Sequence, residues 1–535
     1  MTLIARRPAG ALLLSIACLL LASRVAHAAT PAGKMPRDPD AACAILQGLK
    51  LPDTTITLAQ PIHPAPEYVV PGTESAQGGP VRVHRAFCRV AGIVAPAIEF
   101  EVWMPLAGWN SRFEGLGNGA WSGAVPLAGL AAALDSGYAV AGTDTGHRSA
   151  GLDATWTMTE GHFNDGLAAD WAHRAMHEMS VKGQAVVAAY YGQQARHRYF
   201  VGCSSGGHQA LTEAQRYPDD YDGILAGAPA NYWTHLMAGQ LWYGVATRVD
   251  PATNLEQPVN LLPRIHAAVL AACDRLDGVA DGVLENPLAC HVDAAALGCK
   301  EGDEPGSCLA PAQAAALQRI YANAVGSDGH KVFPGLAPGS EQGWPAMSAV
   351  QVAFAENFYR YFVFHDPAWR YDSVDFDRDV ARADATIGMV TNSTNADLAR
   401  FRRHGGKLLQ YHGWSDPLIS PYNSIDYYES VVAKSGKASP EAQLADTQAY
   451  HRLFMVPGMG HCRGGEGTDS FDGLSALQSW VEEGKAPERI EAARLVAGKL
   501  VRTRPLCAFP MQAVHDGVGN SDESASFRCT VVATK

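Results

Sequence analysis

Apolar and polar residues recur along the chain with two periods. Residues 98–104 (Ile98-Glu99-Phe100-Glu101-Val102-Trp103-Met104) alternate with period two, the pattern of a half-buried strand, and Pro105 and Gly108 end the run. Tyr138-Ala139-Val140-Ala141-Gly142-Thr143 is continuously apolar enough for a buried strand. Residues 164–191 hold no Pro and are rich in Ala, Met, Glu and Gln, which predicts a helix. A short strand is predicted over residues 198–202, a helix over 206–216 and the next strand over 224–229. Much later, residues 407–411 and 452–456 are short apolar runs closed by turn residues. Strands alternating with helices predict an α/β fold with a mostly parallel sheet.

Residues 232–400 break this pattern. They hold four Cys, an acidic Gly-rich segment, many Pro and the aromatic run Asn357–Phe362. This stretch reads as an inserted domain, dividing the core into residues 29–231 and 401–535. The first 28 residues read as a removable export signal. Arg6-Arg7 form a positive start, residues 11–21 a short apolar run, and Ala26-His27-Ala28 a small-x-small cleavage site. A bilayer needs about 20 apolar residues, so this run is too short to span one, and no other run is long or apolar enough.

Composition narrows the picture. The chain has 535 residues, 47% hydrophobic and 18% charged, which excludes general disorder. Its net charge is −12, and about −15 once the signal with its three Arg is set aside. That excludes a general nucleic-acid binder, which needs a basic face. Eleven Cys become ten without Cys18, an even number suited to disulfides in an exported protein, and none sits in a CxxC pair.

Three segments carry the chemistry. Gly202-Cys203-Ser204-Ser205-Gly206 is a G-x-S-x-G turn between a predicted strand and a predicted helix. There the hydroxyl stands exposed while the helix N-terminus offers N–H groups to an oxyanion. Gly202 and Gly206 flank Ser204 symmetrically and favour it as nucleophile over its rival, Ser205. A serine nucleophile needs an imidazole base, and the base needs an orienting carboxylate. Asp416 lies in a turn after a strand, and His461 in a Gly-rich loop after the next, completing the order Ser, Asp, His. His412 is predicted to be a cleft residue, wrongly placed to be the base. Cys203 precedes Ser204 and Cys462 follows His461, so a working Ser–His pair would bring the two Cys within bridging distance. The alternative is two unrelated buried thiols.

These residues resemble the tannase and feruloyl esterase family of α/β-hydrolases, which includes a hydrolase of a terephthalate monoester. The resemblance covers residues 40–530. It rests on Gly202–Gly207, Tyr221–Ile224 with Ala226–Pro229, His412–Asp416 and Gly458–Cys462. It implies a serine esterase with Ser204 as nucleophile, His461 as base and Asp416 as orienting acid. The oxyanion donors would be the backbone N–H groups of Ser205 and Gly119, the latter in a loop following the Ile98–Met104 strand. Ala120 stands where another Gly is expected. The inserted stretch would be a lid with a calcium loop, ligated by the side chains of Asp274, Asp277 and Asp281 and the carbonyls of Val279 and Val283. The loop lacks EF-hand spacing.

The resemblance also implies the disulfides Cys203–Cys462, Cys43–Cys88, Cys273–Cys290, Cys299–Cys308 and Cys507–Cys529. The implied substrates are small aromatic esters, of ferulate or gallate or less often a terephthalate monoester. Among the lid aromatics Trp344, Phe354, Phe358, Tyr359, Tyr361 and Phe362, most are expected to pack the lid and some to flank a planar acyl group. Two other readings share parts of the pattern: a non-catalytic, calcium-dependent binding protein, and an exported peptidase.

Overall fold

The computed structural model describes residues 35–73, 79–149, 151–248, 250–255, 261–304, 306–346 and 350–531. The export signal assigned to residues 1–28 lies outside them. Nine strands form the main sheet: β1 (Thr54–Ile62), β2 (Phe87–Val94), β3 (Ile98–Pro105), β4 (Arg112–Leu116), β5 (Ala139–Thr143), β6 (His197–Cys203), β7 (Gly223–Gly227), β8 (Lys407–Gly413) and β9 (His451–Val456). Their spatial order is β1-β2-β3-β5-β4-β6-β7-β8-β9. The first three pair antiparallel with one another, and β3 pairs antiparallel with β5. The six strands from β5 to β9 run parallel.

Five helices matter for the site: α1 (Leu127–Asp135), α2 (Ala175–Tyr191), α3 (Ser205–Arg216), α4 (Trp233–Arg248) and α5 (Leu261–Cys273). A sixth, α6 (Gly473–Glu483), follows β9. The predicted helix over 164–191 is present, with a π turn at Asp170–Arg174 leading into α2. Side chains alternate across each strand, so one residue feeds one face and its neighbour the other. Phe200 and Leu408 join Met176, Met179, Val187 and Leu211 under α2 and α3. Tyr199 and Leu409 join Leu134, Leu477 and Trp480 under α1 and α6. Fully burying one such apolar side chain stabilises by about 1.5–3 kcal/mol. The sheet is thus covered on both faces, as parallel sheets require.

Among the described residues, 232–400 contribute no strand to this sheet, and the only strands there are the short pair Ala324–Val325 and Lys331–Phe333. Trp344, Phe358, Tyr359 and Phe362 are fully buried among α4, α5 and the segments that follow them. Trp121 and Trp171, from the first part of the chain, belong to the same cluster. Trp121 stacks on Phe354 at 4.3 Å and on Phe362 at 5.0 Å between ring centroids. His266 of α5 bonds Glu341 at 2.7 Å and Glu466, beyond β9, at 3.0 Å. All five implied disulfides are formed. Among the described residues, no helix is long and apolar enough to cross a membrane.

Candidate active site

The ends of β6, β8 and β9 bring three loops together. Ser204 sits between β6 and α3 with φ 66° and ψ −122°, a conformation that costs a non-glycine residue about 1–3 kcal/mol. Its N–H donates to the Gly227 carbonyl and its carbonyl accepts from Ala230 N–H, which pin the strained turn. Gly202 lets the turn close: a Cβ there would meet the Gly206 carbonyl oxygen at 2.3 Å. Ser205 is the first residue of α3 and 2% exposed, so its hydroxyl is poorly placed as the rival nucleophile.

His461 Nε2 lies 2.8 Å from Ser204 Oγ, and His461 Nδ1 lies 2.7 Å from Asp416 Oδ2. Asp416 is fully buried and its other oxygen, Oδ1, accepts the N–H groups of Leu418 and Ile419 at 2.8 and 3.1 Å. Burial pushes this carboxyl up, but His461 and His412 outweigh it and hold it well below the usual carboxylate range. Burial alone would lower the His461 pKa; the Asp416 carboxylate reverses this and raises it above its ordinary 6.5. The Cys203–Cys462 bridge spans 6.1 Å between Cα atoms and ties the Ser204 turn to the His461 loop.

His412 is not a cleft residue. It is fully buried behind Asp416. Its Nε2 lies 3.1 Å from Asp416 Oδ2 and 3.0 Å from the Ile419 carbonyl, both acceptors, so Nε2 carries the proton. Nδ1 faces Ser424 Oγ at 2.7 Å. Asp416 therefore receives four donors, two from imidazoles and two from the backbone.

The loop that carries Gly119 leaves β4, not the Ile98–Met104 strand predicted to precede it. Arg112–Leu116 is itself a strand, hidden in the sequence by Arg112 and Glu114. The Gly117 N–H is spent on the Val201 carbonyl and the Asn118 N–H on Gln209 Oε1. A Cβ on Gly117 would meet the Gly206 Cα at 2.7 Å, so the two loops touch backbone to backbone. Ala120 takes φ 49°, the left-handed region, which accounts for the Gly expected at that position.

Ser204, Ser205, Gly119 and His461 line one pocket of about 660 Å³. Its apolar wall includes Trp233, Leu236 and Met237 from α4, together with Phe354 and Leu418. Of the six aromatics singled out in the sequence between residues 344 and 362, only Phe354 lines this pocket. Trp233 and Met237 gave no sequence signal, because a helix pattern does not reveal which apolar face meets a cavity. A second cavity, of about 340 Å³, lies across the His461 loop and is not lined by Ser204.

The acidic loop supplies oxygen donors only, as a hard cation requires. Burial pushes the Asp277 carboxyl up to about 6, and Asp281 and Asp274 add repulsion, so negative charge is crowded there. The donor chemistry fits. Here Asp274 accepts the N–H groups of Asp281 and Gly282, and Asp281 pairs with Arg504. Among the described residues, no three ligating side chains converge on one point.

The family model for tannase and feruloyl esterase matches residues 81–530. The chain belongs to the tannase and feruloyl esterase family. An uncharacterized esterase of Xanthomonas campestris is 38% identical over 91% of both chains. The mono(2-hydroxyethyl) terephthalate hydrolase of Piscinibacter sakaiensis is 34% identical over 86% of both. The crystal structure of feruloyl esterase B from Aspergillus oryzae superposes with a TM-score of 0.84 at 28% identity, covering 92% of this chain and all of that one. As a member of this family, the chain is a carboxylic ester hydrolase on an α/β-hydrolase core. Family membership sets aside the peptidase and non-catalytic readings.

Proposed function

We propose that the chain is an exported serine hydrolase of small aromatic esters, with ferulate-type or gallate esters as its substrates. The observation that carries this reading is the Ser204–His461–Asp416 relay opening into a pocket walled by Trp233 and Phe354. His461 takes the Ser204 proton as Oγ attacks the ester carbonyl. The tetrahedral oxyanion is held by the N–H groups of Ser205 and Gly119. Ser205 qualifies because the first N–H groups of a helix have no intrahelical acceptor. Gly119 qualifies because the N–H groups of its two predecessors are already spent. The alcohol leaves with the proton from His461, and water activated by His461 then releases the acid.

Residues 232–400 act as the lid and set acyl choice through α4 and Phe354. Asp274, Asp277 and Asp281 with the Val279 and Val283 carbonyls would hold calcium, which would neutralise the crowded carboxylates and stiffen the lid. Five disulfides favour an oxidising compartment, and with the signal-like residues 1–28 they support export. A second reading, hydrolysis of a terephthalate monoester, is favoured by the relative from Piscinibacter sakaiensis. A panel of methyl ferulate, methyl gallate and the terephthalate monoester at matched concentration tests the choice. The highest kcat/KM is expected for ferulate or gallate; a clear preference for the terephthalate monoester would overturn that choice.

A further inference from the structure

Among the described residues, the wall of the 660 Å³ pocket contains no Asp, Glu or Lys. Beside His461 and Tyr411, its one ionisable side chain is Arg463. Arg463 is exposed, and among the described residues its guanidinium has no hydrogen bond and no ion pair. The acids nearest in sequence are engaged elsewhere. Glu466 bonds His266 at 3.0 Å, and Asp469 accepts the Gly464 N–H at 2.7 Å. Arg463, with five guanidinium donors, therefore lines a substrate pocket in a chain whose net charge is −12.

Its position in the loop says which part of the substrate it meets. Arg463 follows Cys462, which is bonded to Cys203, next to Ser204. Given the 6.1 Å between the two Cys Cα atoms, the Arg463 and Ser204 Cα atoms lie at most about 14 Å apart. Arg463 also sits two residues after His461. The base must hand its proton to the departing alkoxide, so the alcohol part of the ester lies on the His461 side of the scissile bond.

We infer that Arg463 binds a carboxylate on the alcohol part of the ester, so that the preferred substrates are aromatic-acid esters of hydroxycarboxylic acids. This rests on the serine-esterase reading and narrows it. Guanidinium and carboxylate pair through two parallel N–H···O bonds, and closure of the ester against the apolar wall removes water from that pair. Arg463 is thus a specificity-determining residue; it takes no part in bond breaking.

The test compares feruloyl glycolate, whose alcohol part carries a carboxylate, with its methyl ester, which is neutral at that position. The terephthalate monoester places the carboxylate on the acyl part instead. All three are assayed on the full-length enzyme and on Arg463→Gln, Arg463→Lys and Arg463→Glu. Charged hydrogen bonds of this kind are worth about tenfold or more in affinity. The kcat/KM ratio of feruloyl glycolate to its methyl ester should exceed one and fall about tenfold in Arg463→Gln, mainly through KM. It should be largely kept in Arg463→Lys and be lowest in Arg463→Glu. Raising the salt should shrink the wild-type ratio. An unchanged ratio in Arg463→Gln would overturn the inference, as would an effect confined to the terephthalate monoester. Failure of the underlying esterase reading is separable, since the neutral methyl ester would then not be turned over at all.

Discussion

Replacing Asp416 by Asn tests the relay more sharply than removing the side chain. All four groups around the carboxylate are donors: His461 Nδ1 and His412 Nε2 on Oδ2, and the N–H groups of Leu418 and Ile419 on Oδ1. An ionised carboxylate accepts all four, but an amide brings an NH₂ that must face two of them. Backbone N–H groups cannot change protonation, whereas an imidazole can move its proton. The amide oxygen therefore stays on the backbone pair and the NH₂ turns toward His461. His461 then accepts at Nδ1 and carries its proton on Nε2, where it donates to Ser204 and cannot take the serine proton. Loss of the correct tautomer in a Ser-His-Asp site costs about 10⁴ in kcat, or about 5.5 kcal/mol of transition-state stabilisation. The variant leaves His412 Nε2 facing an NH₂ as well, with a stability cost of about 1–3 kcal/mol. Steady-state hydrolysis of methyl ferulate at pH 7 reads the first effect, and a thermal melt reads the second. A folded Asp416→Asn enzyme retaining more than a tenth of the wild-type kcat would refute the tautomer argument.

Three further outcomes are expected. Cys203–Cys462 closes a separation of 259 residues and Cys299–Cys308 one of 9, so chain entropy puts ceilings of about 5.5 and 2.6 kcal/mol on their contributions. The Cys203→Ser/Cys462→Ser pair should lower both Tm and kcat, and Cys299→Ser/Cys308→Ser only Tm; an unchanged kcat in the folded first pair would refute a role for the bridge in holding the relay. Chelation with EDTA should lower Tm, and calcium but not magnesium should restore it, because free calcium a hundredfold above Kd stabilises by about 2.7 kcal/mol; Asp277→Asn should abolish the response, and a Tm indifferent to EDTA would remove calcium from the account. Burial raises the Glu114 carboxyl to about 8 from 4.5, so the folded state holds a proton that the unfolded chain releases, and stability should fall as pH rises between those values, by up to about 1.4 kcal/mol per unit. Denaturant unfolding of Glu114→Gln between pH 5 and 8 should give a shallower slope than wild type, and parallel slopes would exclude Glu114 as the cause.

The parts of the fold legible in the sequence are those where local pattern and burial agree. Residues 98–104, 198–202 and 407–411 read as strands because they enter the core as short apolar or alternating runs, and each lies within a strand of the main sheet. β1 was illegible because it is an edge strand that tolerates Pro61 and several polar residues. β4 was illegible because Glu114 is buried in it as an ionisable group. Ser204, Asp416 and His461 could be placed because strand-turn context fixes where a nucleophile, acid and base stand. His412 could not, since its partners Ser424 and the Ile419 carbonyl lie beyond its own strand, on the turn and helix that follow. The walls of the pocket depend on how α4 turns against the core, which no single helix records.

Ser204 is expected to form an acyl-enzyme. Quenching the reaction with an activated ferulate ester in acid and mapping the peptides by mass reads this directly. One feruloyl group per chain is expected, on the peptide holding Ser204, matched by a stoichiometric burst of released alcohol and absent in Ser204→Ala. Turnover without a burst, or an adduct on any residue other than Ser204, would contradict the account.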